Sequence, residues 1–111
     1  MLALSELPQD MAAFVAQLGK AKPDVVFNAL HGRYGEDGCI QGLLDMMHLP
    51  YTHSGRLASA IAMDKPMAKR MFASVGIPVA AEKIVTVREA ARDDVMPRPY
   101  VLKPKIGRAH V

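Results

Sequence analysis

Apolar residues recur at helical spacing in three stretches of this chain, separated by short apolar runs and by turns rich in Gly, Pro and Asp. Met11, Phe14, Val15 and Leu18 fall at i, i+3, i+4 and i+7, one face of an amphipathic helix. Asp10 is placed to cap its start and Gly19 to end it. After Pro23 and Asp24, residues 25–30 form a nearly unbroken apolar run of strand length, the pattern of a parallel strand covered on both faces. A second helix is predicted to begin near Gly35, with Glu36 and Asp37 facing the positive end of its dipole. It carries Ile40, Leu43, Leu44 and Met47 on its buried face. Residues 49–52 read as a short extended piece, and Ser54 or Gly55 opens a small-residue helix over residues 56–63. Asp64 then caps a further helix, with Pro66 in the first turn, where a missing N–H costs nothing. Met63, Met67 and Met71 make a stripe on it, joined by Phe72 and Val75, which reads as core packing. Gly76-Ile77-Pro78 stops it. A strand over 84–87, a short helix over 88–93 and a strand over 100–104 complete the pattern.

This order is that of an α/β protein. Asp64 marks a domain boundary, because one helix ends and another is capped within a few residues. No strand is predicted ahead of the Asp10 helix, so the first sheet lacks the opening strand of a βαβ unit. Residues 106–111 follow the last strand without a closing signal and resemble the translation of a sequencing adapter. Residues 105–111, with His110 among them, are therefore expected to be a non-native tail, and the chain a fragment cut at both sides. The expected division is 1–63, 64–104 and that tail.

Composition narrows the class. Of 111 residues, 50% are apolar and 23% charged, a globular balance that argues against disorder and against a disulfide scaffold. No apolar run reaches the roughly 18–20 residues a bilayer demands, and the start carries no signal-peptide pattern. The lone Cys39 suits a reducing cytoplasm, where such a thiol is expected to be a small buried hydrophobe. The formal charge of +3 suggests nucleic acid, but Lys105 and Arg108 of the tail supply two of the 14 bases, and the rest nearly balance the 11 acids. Three Tyr and three Phe are too few for a stacking platform, so neither a nucleic-acid nor a membrane partner is expected.

The segment from Leu30 to Gly42, LHGRYGEDGCIQG, holds the richest chemistry. It lies at the carboxyl end of the predicted 25–30 strand and runs into a helix, where α/β sheets bind ligands. Its glycines permit close backbone approach, and free N–H groups there could meet an anion. His31 offers a titratable donor and Arg33 a fixed cationic fork. On the residues alone, a plain turn with carboxylates set for the helix dipole accounts for the segment equally well. His31 as a metal ligand is disfavoured, since His48 and His53 show no ligand spacing with it.

The segment resembles the N-terminal signature of D-alanine–D-alanine ligases, His-Gly-x-x-Gly-Glu-Asp-Gly-x-Ile-Gln-Gly, matched at each defined position from His31 to Gly42. Residues 49–52, Ser54-Gly55, 58–60, 63–65, 76–79 and 100–104 are similar to that family in order and spacing, so the likeness spans residues 10 to 104. It implies an incomplete pre-ATP-grasp, Rossmann-like parallel-sheet domain followed by the start of an ATP-grasp domain. It also implies a cytoplasmic, ATP-dependent ligase of peptidoglycan synthesis, and hence of cell-wall construction and cell shape. Such an enzyme joins two D-alanines through an acyl phosphate with Mg²⁺ (or Mn²⁺) as cofactor. Lys65 and Lys103 match the lysines that contact ATP phosphates. Lys103 is the sole charge in a predicted buried strand, which calls for a counter-charge. Read without the family, Lys65 is a solvated helix-start residue and Lys103 an edge lysine. His31 matches the histidine that orients the reacting carboxylate, and Glu36 is cast as its support. The preceding glycine-rich strand and loop, the phosphate lid, the later active-site arginine and the metal-binding acids find no match here. The polypeptide as written is therefore not expected to catalyse the reaction by itself, and its metal ligands are expected outside this chain. A homodimeric full-length protein stays open, as do a D-alanine–D-lactate type ligase and a non-catalytic α/β module that binds a nucleotide or a protein.

Overall fold

A computed structural model describes residues 1–105, so most of the expected non-native tail lies outside the described residues. The chain divides into two compact units, Met1–Met63 and a second beginning at Asp64.

The first unit is built on a two-stranded parallel sheet of β1 (Leu2–Leu4) and β2 (Val26–Asn28), joined by α1 (Met11–Ala21). A strand does therefore precede the Asp10 helix, which corrects the sequence expectation. Its three residues are too few to raise a periodic signal. Leu2 pairs with Val26 and Leu4 with Asn28, and a lone parallel bridge adds Tyr51 beside Val26. Asp10 caps α1 by accepting the Ala13 N–H at 3.1 Å. The helix runs past Gly19 to Ala21 and ends on Lys22, which takes the left-handed conformation at φ 43°.

Leu4, Phe14, Leu18, Val26, Leu30, Ile40 and Leu44 form the core, with Val26 and Leu44 fully excluded from solvent. Strand β2 is covered on one face only. Val26 and Asn28 are buried while Phe27, between them, is 39% exposed with its ring 6.0 Å from that of His53. Double coverage was expected from the apolar run, but a run records hydrophobicity and not the layers available to bury it. Helix α2 (Cys39–Met46) brings Ile40 and Leu44 into the core, and α3 (Arg56–Met63) packs beside it. Gly38 makes that approach feasible, since a Cβ there would lie 2.6 Å from the Arg56 carbonyl oxygen, and its φ of +97° suits glycine.

In the second unit, α4 (Lys65–Ser74) is capped by Asp64, which accepts the Met67 N–H at 3.2 Å, and Pro66 lies in the first turn. The short α5 (Val87–Arg92) opens with a reciprocal capping box between Thr86 and Glu89. That cap takes Thr86 and Val87 out of the predicted 84–87 strand, and neither that stretch nor 100–104 pairs as a strand among the described residues. The methionine stripe is likewise not a core, because Met67 and Met71 stand exposed with Phe72 and Val75. Among the described residues, no helix is long and apolar enough to cross a membrane.

Leu44→Ala should lower the stability of the first unit by about 2–5 kcal/mol, the cost of a cavity at a fully buried site. Asp10→Ala should cost only about 1 kcal/mol through its lost cap. Urea denaturation of the two variants would give the ratio, and equal losses would contradict this account of the core.

Candidate functional site

The first candidate site is the loop between β2 and α2, and it is organised around one carbonyl. Asn28, the polar residue at the end of β2, is buried and fully engaged. Its Nδ2 donates to the Gly35 oxygen at 3.0 Å, and its Oδ1 accepts the Leu30 N–H at 3.0 Å. From α2, Gln41 Nε2 donates to the same Gly35 oxygen at 3.0 Å. Gly35 is itself packed against Leu30, where a Cβ would collide with the Leu30 side chain. The Asn28 N–H in turn donates to Thr52 Oγ1 at 2.9 Å, linking the loop to the stretch bridged to β2.

Helix α2 does not start at Gly35 as the carboxylates suggested, but at Cys39. Glu36 and Asp37 belong to the loop and bond its own amides. Glu36 Oε2 accepts the Gly32 N–H, and the Glu36 N–H donates to the Gly32 oxygen at 2.9 Å. Asp37 accepts the N–H groups of Tyr34 at 3.0 Å and Cys39 at 3.1 Å. Loop amides expected to meet a foreign anion are thus engaged by two of the chain's own carboxylates. Burial pushes the Asp37 carboxyl up, but these N–H bonds outweigh it and hold the group below its ordinary value.

His31 stands exposed at the strand mouth, flanked by the buried Leu30 and by Gly32, which Glu36 fastens. Glu36 therefore acts on the residue next to His31. The exposed Arg33 lies 4.8 Å over the Tyr34 ring, a cation–π contact, and Tyr34 has a φ of 70°. Cys39 is exposed, against the expectation of a buried thiol, and its bond to Asp37 holds the thiol above its ordinary value, aided by desolvation.

The second candidate site lies in the second unit. Lys65 and Lys103 line one cleft of about 730 Å³. Lys69, Lys83 and Lys105 line it too, against one carboxylate, Glu82, which pairs with Lys69 at 3.3 Å. Lys103 is exposed and on unpaired backbone. The premise that it is a charge inside a buried strand is therefore corrected, because the predicted strand does not form. A cleft this rich in ammonium groups fits a polyphosphate. Among the described residues no group of three or more His, Cys, Asp or Glu could hold a metal ion.

Sequence reasoning placed Asn28 within an apolar run and gave Gln41 no role. A polar side chain inside a buried strand needs a hydrogen-bond partner, and that signal could have singled out Asn28.

Comparison with known proteins fits this strand-mouth loop. The family described as "D-ala D-ala ligase N-terminus" matches residues 5–54. In this region the chain is similar to D-alanine–D-alanine ligases. It is 59% identical over 101 residues to the D-alanine–D-alanine ligase of Rhodospirillum rubrum, covering 91% of this chain and 33% of that one. It is 52% identical over 103 residues to that of Paramagnetospirillum magneticum, covering 93% and 34%. The chain thus spans about a third of the length of these relatives. Among solved structures, the D-alanine–D-alanine ligase from Coxiella burnetii aligns with a TM-score of 0.51 and 43% identity, over 52% of this chain and 17% of that one.

Two outcomes check the loop. Gly35→Ala should lower stability by more than about 2 kcal/mol in urea, because the added methyl cannot clear Leu30. The lowered Asp37 pKa adds stability that is present above the unfolded-state carboxylate value and is lost as pH falls through the folded-state value. Melting curves across acid pH should therefore flatten in Asp37→Asn, and an unchanged acid slope would refute the bonding scheme.

Proposed function

We propose that this chain forms part of an ATP-dependent D-alanine–D-alanine ligase, with Met1–Met63 as pre-ATP-grasp domain and the unit from Asp64 as the opening of the ATP-grasp domain. The carboxylate of one D-alanine takes the γ-phosphoryl group of ATP. The amine of a second D-alanine then displaces phosphate from the acyl phosphate to give the dipeptide used in peptidoglycan synthesis. The substrates are small molecules and the compartment is the cytoplasm.

His31 orients the carboxylate of the first D-alanine by donating to it from the strand mouth, and Glu36 supports it by holding Gly32. Lys65 and Lys103 bind the ATP phosphates. When bound, Mg²⁺ (or Mn²⁺) offsets phosphate charge. None of the described residues is assigned to the metal.

The observation that carries this reading is the pair formed by the glycine-rich loop at the mouth of β2 and the lysine-lined cleft of the second unit. The loop presents the exposed side chains of His31 and Arg33 after bonding its own amides internally. The cleft offers the charge that a nucleotide's phosphates need. The 52–59% identity to three ligases adds support.

With protein expressed from its complete gene, phosphate release from ATP should depend on D-alanine. Lys103→Ala should raise the KM for ATP about ten- to hundredfold, the loss of one charge-assisted bond, with little change in the KM for D-alanine. Phosphate release indifferent to D-alanine would sink the ligase reading, and an unchanged KM for ATP would remove Lys103 from it.

A further inference from the structure

We propose that Gln41 is a positioning residue for His31, acting through the Gly35 carbonyl, an inference that rests on the ligase reading above. Gln41 is buried, with 2% of its surface exposed, in a helix whose other buried residues, Ile40 and Leu44, are aliphatic. Its Nε2 donates to the Gly35 oxygen, but its Oε1 is buried and finds no donor among the described residues. An apolar side chain of similar size would carry no such unmatched acceptor, so the amide is not the stabilising choice at this position. Nor is it required to satisfy the Gly35 oxygen, which Asn28 Nδ2 already bonds at 3.0 Å.

What the second amide adds is location. Asn28 ties Gly35 to the strand, and Gln41 ties the same oxygen to α2, so the carbonyl is fixed between the two elements that frame the loop. Gly35 is linked to both neighbours of His31, to Leu30 by contact and to Gly32 through Glu36. It packs directly on Leu30, and the next residue, Glu36, bonds Gly32 through both its N–H and its carboxylate. A shift of Gly35 therefore moves the backbone on either side of His31 while leaving the core contacts of Ile40 and Leu44 in place.

The test uses protein expressed from its complete gene and compares Gln41→Met, of similar volume and without an amide, with Gln41→Leu. Either variant should keep or raise the melting temperature, raise the KM for D-alanine about tenfold, and leave the KM for ATP within twofold. Amide hydrogen exchange at Gly32 and Glu36 should quicken severalfold. In a His31→Ala background, the same substitution should change kcat/KM for D-alanine by less than twofold, because the group being positioned is gone. A residue that only fills space would give equal penalties in both backgrounds, and that result overturns the proposal. So does a lowered melting temperature with exchange at Gly32 and Glu36 unchanged, or failure of both variants to fold, since each assigns Gln41 to stability. Wild-type protein whose phosphate release ignores D-alanine overturns the ligase reading and this inference with it. Active wild type with additive penalties overturns the role of Gln41 alone.

Discussion

The first unit depends on how a single backbone oxygen is held. A loop with three glycines and a non-glycine residue at positive φ has many conformations open to it, and burying it against a sheet would strand its polar groups. Two side-chain amides, one from β2 and one from α2, meet at the Gly35 carbonyl and select one of those conformations. The absence of a side chain at Gly35 lets the oxygen reach that point, because Leu30 fills the space a methyl would need. The core of Val26, Leu30, Ile40 and Leu44 closes beneath the loop and keeps water from competing for those bonds.

The electrostatics of the loop follow from the same economy of donors. Glycine-rich turns ahead of a helix commonly leave N–H groups facing outward, where phosphate or carboxylate can settle. Here Glu36 and Asp37 bond the amides of Gly32, Tyr34 and Cys39. The backbone is stabilised from within, and the fixed positive charge of the strand mouth is carried by the exposed Arg33 side chain, close in sequence to the exposed His31. In the second unit Lys65 and Lys103 line the cleft, and Lys69 pairs with Glu82. Each unit thus presents cationic side chains, from a loop whose amides are bonded internally in the first and around a lysine-lined cleft in the second.

Much of the helical framework was legible in the sequence because its signals are local. Asp10 and Asp64 each cap the helix they precede, and the spacing of Ile40, Leu43, Leu44 and Met47 marks the buried side of α2. Strands were harder to read, since a strand exists only through its partner. Leu2–Leu4 pairs with β2 and was missed, whereas residues 84–87 and 100–104 carry the right composition but form no ladder among the described residues. The start of α2 was misread because acidic residues complement a helix dipole and also close turns, and here Glu36 and Asp37 do the second. The motif residues His31, Glu36, Lys65 and Lys103 were visible as a pattern. Gln41 was part of the same pattern but had no role in it, and Asn28 lay outside it, because their importance lies in meeting at one atom from opposite ends of a loop.

The bond between Cys39 and Asp37 bears on how the strand mouth weathers oxidants. The side chain is open to solvent, yet the carboxylate beside it opposes loss of the thiol proton. Thiolate, not thiol, attacks alkylating agents and peroxides, so this sulfur is accessible but slow to react. The first turn of α2 can therefore carry a surface cysteine without becoming an early casualty of oxidative damage.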